Sequence, residues 1–212
     1  MSLVADFELT SSNLLLGPTL EECPTLEVTL ERQFALDPDR PISFCWMAGV
    51  QPPVLEEVFE RDGTVATSER LETADERTLY ALTECGEESV GTYRRWVALG
   101  SELLEACVSA GGWECRMRFP GRDALAAYHE YLTVQGVGFD LHRLATGGDS
   151  VDGAILTPYQ RNALRTAYER GFFDVPRGST LEEIAAELGI SDQALSERLR
   201  RGQSRLVERH VL

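Results

Sequence analysis

Two hydrophobic spacings divide the chain. Through the first 150 residues apolar and polar side chains mostly alternate, the period of a half-buried strand. After that they recur every three and four residues, the period of a helix. Leu3, Ala5, Phe7 and Leu9 share one face, as do Leu26, Val28 and Leu30. Residues 42–50 form a more continuous apolar run and read as a central strand. Residues 54–61 and 64–71 read as two strands around Asp62-Gly63, a dipeptide suited to a tight hairpin turn. Residues 77–83 and 92–99 read as further strands.

The next stretch predicts a hairpin, a helix and a strand. Residues 104–109 and 113–119 flank Gly111-Gly112, with Trp113, Cys115, Met117 and Phe119 on one face and Glu114, Arg116 and Arg118 on the other. Pro120-Gly121 breaks the strand, Leu125, Tyr128 and Leu132 follow at helical spacing, and Gly136 ends that helix. Residues 137–144 return to alternation. Hairpin, helix and strand together suit half of a ferredoxin-like sandwich. No internal repeat is legible. Residues 145–153, rich in Gly, Ser and Asp, read as a linker. The expected organisation is therefore α+β: residues 1–150 as a mainly antiparallel β domain with a covering helix, and residues 151–212 as an all-α domain.

In the second segment Thr157-Pro158-Tyr159-Gln160 is a helix start, with Thr157 as N-cap, Pro158 at the first position and Gln160 closing a capping box. Ala163, Leu164, Ala167 and Tyr168 form its apolar stripe, Gly171 ends it, and Phe172 and Phe173 turn back to the core. Ser179-Thr180-Leu181-Glu182-Glu183 offers a second capping box in either of two registers. Ile184, Ala185 and Leu188 follow, then Gly189, Ile190 and Ser191, then a third helix with Leu195 and Leu199 inward. A small residue at 185, a glycine four residues on and apolar residues on both sides are helix-turn-helix spacing.

Such a third helix enters the major groove N-terminal end first. Ser191, Gln193, Ser196, Glu197 and Arg200 offer donors and acceptors to base edges, while Arg198, Arg201 and Arg205, with Arg161 and Arg165 on the first helix, suit phosphates. Glu197 has two readings. It can accept from cytosine, or it can pair with Arg201 one turn on.

Composition and charge sharpen this picture. The 212 residues carry 35 acids and 20 bases, a net charge of −15, and every base is Arg. Such acidity without Lys suits a halophile's cytoplasm, where molar salt screens self-repulsion, or an acidic mesophilic protein of a GC-rich genome, where Arg codons displace Lys codons. The first 150 residues hold 26 acids and 11 Arg; the remainder holds nine of each, so the helical segment is neutral. No apolar run approaches the roughly 18 residues of a membrane span, and residues 1–10 lack the regions of a secretory signal. The five Cys and three His have neither disulfide-framework nor zinc spacing, so a reduced cytoplasmic setting is expected, with no metal and no cofactor. Cys107 and Cys115, beside the hairpin turn, read either as a pair or as buried apolar groups. Trp46 and Trp113 read as core, and His129 as a satisfied histidine. Arg116 and Arg118 read as ion-pair partners or as an anion site. No P-loop, nucleophile elbow or H-E-x-x-H motif is present, so enzyme chemistry is not expected.

The run LTPYQRNALRTAYERGFFDVPRGSTLEEIAAELGISDQALSERLRR, residues 156–201, resembles the bacterio-opsin-activator type of helix-turn-helix domain found in haloarchaea, and is similar to sigma factor region 4. WECRMRFP at 113–120 with the following helix and strand resembles the domain that often accompanies it. The resemblance implies sequence-specific binding to double-stranded promoter DNA and regulation of transcription. Homodimerisation and contact with the transcription machinery are further expectations, with the effector unknown and no membrane involved. The alternative is a signalling adaptor, whose N-terminal domain binds a small molecule or protein and whose helices dock a protein partner.

Overall fold

The computed structural model describes residues 2–74, 77–86, 89–109, 112–146, 156 and 158–210, apart from the side chains of 109, 158, 205 and 208–210. The fold is mixed α+β, and the chain divides into two compact units, Met1–Ser150 and Val151–Leu212. The first unit runs β1 (Leu3–Thr10), α1 (Gly17–Glu22), β2 (Glu27–Phe34), β3 (Ile42–Ala48), α2 (Pro52–Phe59), β4 (Val65–Ala74), β5 (Arg77–Glu84), α3 (Thr92–Ala98), β6 (Glu102–Ser109), β7 (Gly112–Phe119), α4 (Arg122–Val134) and β8 (Gly138–Thr146). Its eight strands form one sheet in the order β4-β5-β3-β2-β6-β7-β1-β8, antiparallel at every pairing.

This order is a palindrome. Leu3–Ala74 and Arg77–Thr146 are each a βαββαβ run, the ferredoxin-like sequence of elements. In a lone ferredoxin-like sheet the first strand lies between the fourth and the third. Here β5 fills that place beside β4 and β3, and β1 fills it beside β8 and β7. The two runs have exchanged their first strands, and their second strands meet at the centre, where Thr29 on β2 opposes Cys107 on β6. The expected hairpin-helix-strand half is present as β6, β7, α4 and β8, completed by a strand from the start of the chain.

One face of the sheet carries the core. Ala5, Phe7, Cys45, Met47, Tyr80 and Met117 pack there with Leu55 and Phe59 of α2 and Tyr128 and Leu132 of α4. The rings of Phe7, Phe119 and Tyr128 lie 5.8–6.4 Å apart, within the range of favourable aromatic contact. The other face is mixed, carrying Ile42, Phe44 and Leu79 as well as charged side chains. Arg116 pairs with Asp6 at 3.6 Å and Arg118 with Glu102, so both arginines are ion-pair partners. Trp46 is on this face rather than in the core, its indole donating to Glu31 at 2.6 Å and the Arg77 guanidinium 5.1 Å from its ring. Cys107 and Cys115 occupy opposite faces of neighbouring strands, opposite Glu114 and Ala106 respectively, and no disulfide joins them. His129 packs its ring 4.9 Å from Phe139.

Two expected strands are helices. Residues 54–61 fall largely in α2, where Leu55, Val58 and Phe59 are buried at helical spacing and two prolines begin the helix. Residues 92–99 form α3, with Tyr93 and Trp96 in edge contact one turn apart. Both are rich in Val and aromatic residues, whose strand preference is weaker than the demands of packing.

Asp62-Gly63 makes no hairpin. Asp62 is buried, and its carboxylate accepts from the Thr19 amide and hydroxyl at 3.1 and 2.5 Å, and from the Thr64 amide and hydroxyl at 2.9 and 2.6 Å. The Thr64 hydroxyl in turn accepts from the Leu16 amide at 3.0 Å. Leu16 has a φ of +66°, strained for a side-chain-bearing residue, and this network holds it in place.

Candidate nucleic-acid interface

The second unit contains α5 (Pro158–Glu169), α6 (Leu181–Glu187) and α7 (Asp192–His210). Among the described residues, Ala163 and Ala167 of α5, Ile184 and Ala185 of α6, and Leu195 and Leu199 of α7 form its buried apolar cluster, flanked by Leu164, Phe172, Leu181, Leu188 and Ile190. Two expected core residues are outside it: Tyr168 is 75% exposed and Phe173 40%. A helix turns about 100° per residue, so Tyr168 follows Ala167 away from the stripe. The Thr157 cap falls outside the described residues; α5 does begin at Pro158.

Local chemistry fixes the crossing of α6 and α7. Of the two capping registers the chain uses Thr180: its hydroxyl accepts from the Glu183 amide at 3.2 Å while Glu183 accepts from the Thr180 amide at 2.8 Å. Gly189 closes the turn at a φ of +67°, a conformation glycine adopts without steric cost. Ser191 caps α7 by accepting from the Ala194 amide at 3.2 Å. Gly202 sits where α7 meets α5: a Cβ there would come within 2.7 Å of Leu164 and 3.4 Å of Gln160 and Leu156.

The expected contact residues divide into three groups. Gln193, Ser196 and Arg200 are exposed along α7 at spacings of three and four, with Ser191 exposed at its cap. Glu197 is engaged, accepting from Arg201 at 2.9 Å as its partner one turn on. Arg198 is half-buried with its guanidinium 5.0 Å from the Tyr159 ring, and burial lowers its pKa. On α5, Arg165 is exposed and donates to Asn162 at 3.2 Å, while Arg161 is half-buried. Arg205 has its backbone in α7, but its side chain is outside the described set.

Three features escaped the sequence reading. Arg170 forks onto Glu187 at 2.7 and 2.8 Å, tying the end of α5 to α6. Arg177 lies 4.6 Å from the Phe172 ring. The close approach at Gly202 is the third, and an isolated glycine within a helical pattern was its available signal. Among the described residues no group of three or more His, Cys, Asp or Glu is placed to hold a metal ion. No helix among them is long and apolar enough to cross a membrane.

Three helices, the second and third joined by a glycine turn and locked by a small apolar core, are a helix-turn-helix unit. Residues 156–208 match the family described as "HTH DNA binding domain". The chain is also similar to three haloarchaeal proteins. A putative transcriptional regulator of Haloferax volcanii is 42% identical over 72 residues, covering 32% of this chain and 12% of that protein. The transcriptional regulator NarO of the same organism is 37% identical over 79 residues, 34% of this chain and 37% of the relative. A dimethyl sulfoxide reductase transcriptional activator of Halobacterium salinarum is 43% identical over 51 residues, 24% of this chain and 23% of the relative. The chain thus spans well under half the length of each. The resemblance of the C-terminal segment to haloarchaeal bacterio-opsin-activator helix-turn-helix domains is upheld by these matches.

Proposed function

We propose that the protein is a sequence-specific DNA-binding transcriptional regulator of a halophilic archaeon, with the helix capped by Ser191 reading the major groove. The observation that carries this reading is the exposed row Gln193, Ser196 and Arg200 on α7, inside the segment that matches the DNA-binding family. Gln pairs well with adenine and Arg with guanine across the major groove. Glu197 and Arg201 neutralise one another on this helix and contribute orientation more than charge. Arg161, Arg165 and Arg205 serve the phosphates. Residues 1–150 form the regulatory part, and the working form is a homodimer on paired half-sites.

The test is fluorescence anisotropy with the protein's own upstream duplex in molar KCl against a scrambled duplex. Selective binding, lost about tenfold or more per substitution in Arg200→Ala and Gln193→Ala with circular dichroism unchanged, is the expected result; each good base contact is worth about 1–3 kcal/mol. Binding unchanged in both variants would remove α7 as the reading helix. Absence of binding by the folded wild type would favour the adaptor reading.

A further inference from the structure

We propose that the N-terminal unit binds a short aliphatic ammonium ion, a small protonated amine, in a cavity between its sheet and helices, with Glu84 receiving the charged head. The cavity has a volume of about 60 Å³. A water needs about 10–15 Å³ on such a measure, so the space suits about four non-hydrogen atoms. Most of its wall is apolar: Leu9, Leu30, Leu103, Met117, Trp96 and Trp113 line it. The indole N–H of Trp113 is already committed to the Leu15 carbonyl at 2.8 Å. A tail packed here would meet hydrocarbon and ring surfaces.

One end of the cavity is polar. Gln33, Ser43 and Glu84 converge there, from β2, β3 and β5. Glu84 is only 3% exposed. Its carboxylate accepts from Gln33 at 3.0 Å and from the Ser89 hydroxyl at 3.2 Å, and the same Gln33 amide nitrogen donates to Ser43 at 2.9 Å. A carboxylate has room for about four such bonds, so two acceptor positions remain. Burial raises the Glu84 pKa to about 7, with only the Gln33 and Ser89 hydrogen bonds acting against it. No Arg or His among the described residues forms an ion pair with Glu84.

A buried carboxylate without a counter-ion, facing a cavity, is an incomplete arrangement, because buried charges are ordinarily paired. A primary ammonium supplies the missing charge and three donors. A neutral alcohol supplies one donor and no charge, and a carboxylate ligand is repelled. The wall draws on both βαββαβ runs, so a ligand here touches each side of the sheet's centre. The proposal stands on the N-terminal unit and does not depend on the DNA-binding reading.

The test uses the full chain with its methionine methyl groups labelled with carbon-13. Of the three methionines, Met117 lines the cavity and Met47 does not, which gives a signal and an internal control. The probes are propylamine, 1-propanol and propionate, which share a tail and differ in head charge, titrated at about pH 8. Propylamine is expected to move the Met117 signal saturably and leave Met47 in place. The ceiling on affinity per atom sets its dissociation constant at about 40 µM or weaker. 1-Propanol is expected to bind at least about tenfold more weakly, and propionate to have no effect. Glu84→Gln is expected to remove the preference for the amine, and Ala106→Leu, at the cavity wall, to abolish binding. The idea is overturned if propylamine gives no saturable Met117 shift, if propionate binds as well as propylamine, or if Glu84→Gln keeps the preference. The three-probe comparison needs no variant, so it decides the matter even if a substitution impairs folding.

Discussion

The two units hold themselves together by different means. In the first, 26 buried residues among those described make one cluster across the six inner strands and the elements packed on them. In the second the fully buried cluster has six, three of them alanine, and the shape depends on a cap, a glycine turn and an ion-pair clamp. Small domains bury a smaller share of their surface, so local terms weigh more in them. A large sheet built from exchanged strands depends instead on contacts far apart in the chain. The first unit should therefore be most sensitive at buried polar nodes that join distant segments, and the second at single turns.

The largest effect is expected at Asp62. Its carboxylate takes four hydrogen bonds from Thr19 and Thr64, some 43 residues apart in the chain at its farther partner. Asp62→Ala removes them all and leaves buried donors unmatched, at a cost of about 4 kcal/mol. Trp46, Trp96 and Trp113 all belong to the first unit, so tryptophan fluorescence during denaturation reads that unit alone. The midpoint should fall sharply there while the helical signal of the second unit persists. An unshifted fluorescence midpoint would mean that this node does not hold the sheet unit.

Glu84 comes next and carries a pH dependence. Its folded pKa is raised to about 7 from an ordinary value of 4.5, chiefly by burial. The folded chain therefore keeps a proton that the unfolded chain has released. Stability from this group is full below about pH 4.5, falls as the pH rises to about 7, and is flat above. A shift of this size corresponds to about 3 kcal/mol. Cys45 and Tyr128, its titratable neighbours, have their pKa values pushed up by burial and stay protonated throughout the window. Glu84→Gln is neutral at every pH. It should match the wild type near pH 4 and exceed it by up to about 3 kcal/mol near pH 8, in denaturant titrations at fixed high salt. A gap that does not grow with pH would assign the effect to shape rather than charge.

Gly202 moves the comparison to the second unit. Gly202→Leu forces a side chain into the contact between α7 and α5, and overpacking of this kind costs about 2 kcal/mol. Gly202→Ala should be close to neutral, because a gain of about 1 kcal/mol in helix propensity offsets a contact that the flexible end of Leu164 can relieve. Far-UV circular dichroism melts of the two variants test this. Equal melting of the leucine variant and the wild type would show that the helices separate there at little cost.

What could be read from the sequence follows the same division. The turn at Gly189, the cap at Ser191 and the inward Leu195 and Leu199 are specified within a few residues, and all were legible. The pairing of Glu197 with Arg201 was visible as one of two readings because it too is local. In the first unit the alternation of Leu3, Ala5, Phe7 and Leu9 revealed a strand but not its neighbours. That β1 lies between β7 and β8, more than a hundred residues away, is decided by the whole sheet. The palindrome escaped because topology repeats where side chains do not. Residues 54–61 read as a strand because Val54, Val58 and Phe59 favour one, although Leu55, Val58 and Phe59 stand at helical spacing. Asp62-Gly63 looked like a hairpin turn, and only long-range partners reveal its carboxylate as a buried junction.

The smallest effect separates two adjacent hydroxyls that the sequence left equivalent. Ser179 and Thr180 can each begin a capping box before α6. The Thr180 hydroxyl accepts from Glu183, whereas the Ser179 hydroxyl oxygen is buried and has no hydrogen-bond partner. Thr180→Ala should therefore cost about 1 kcal/mol, the usual value of an N-cap. Ser179→Ala removes a hydroxyl that burial leaves without a partner, so it should be neutral or slightly stabilising. Amide hydrogen exchange along α6 resolves the two, since loss of the cap frays the first turn and leaves the later turns protected. Faster exchange in the serine variant but not the threonine variant would reverse the register, and with it the entry angle of the helix that buttresses α7.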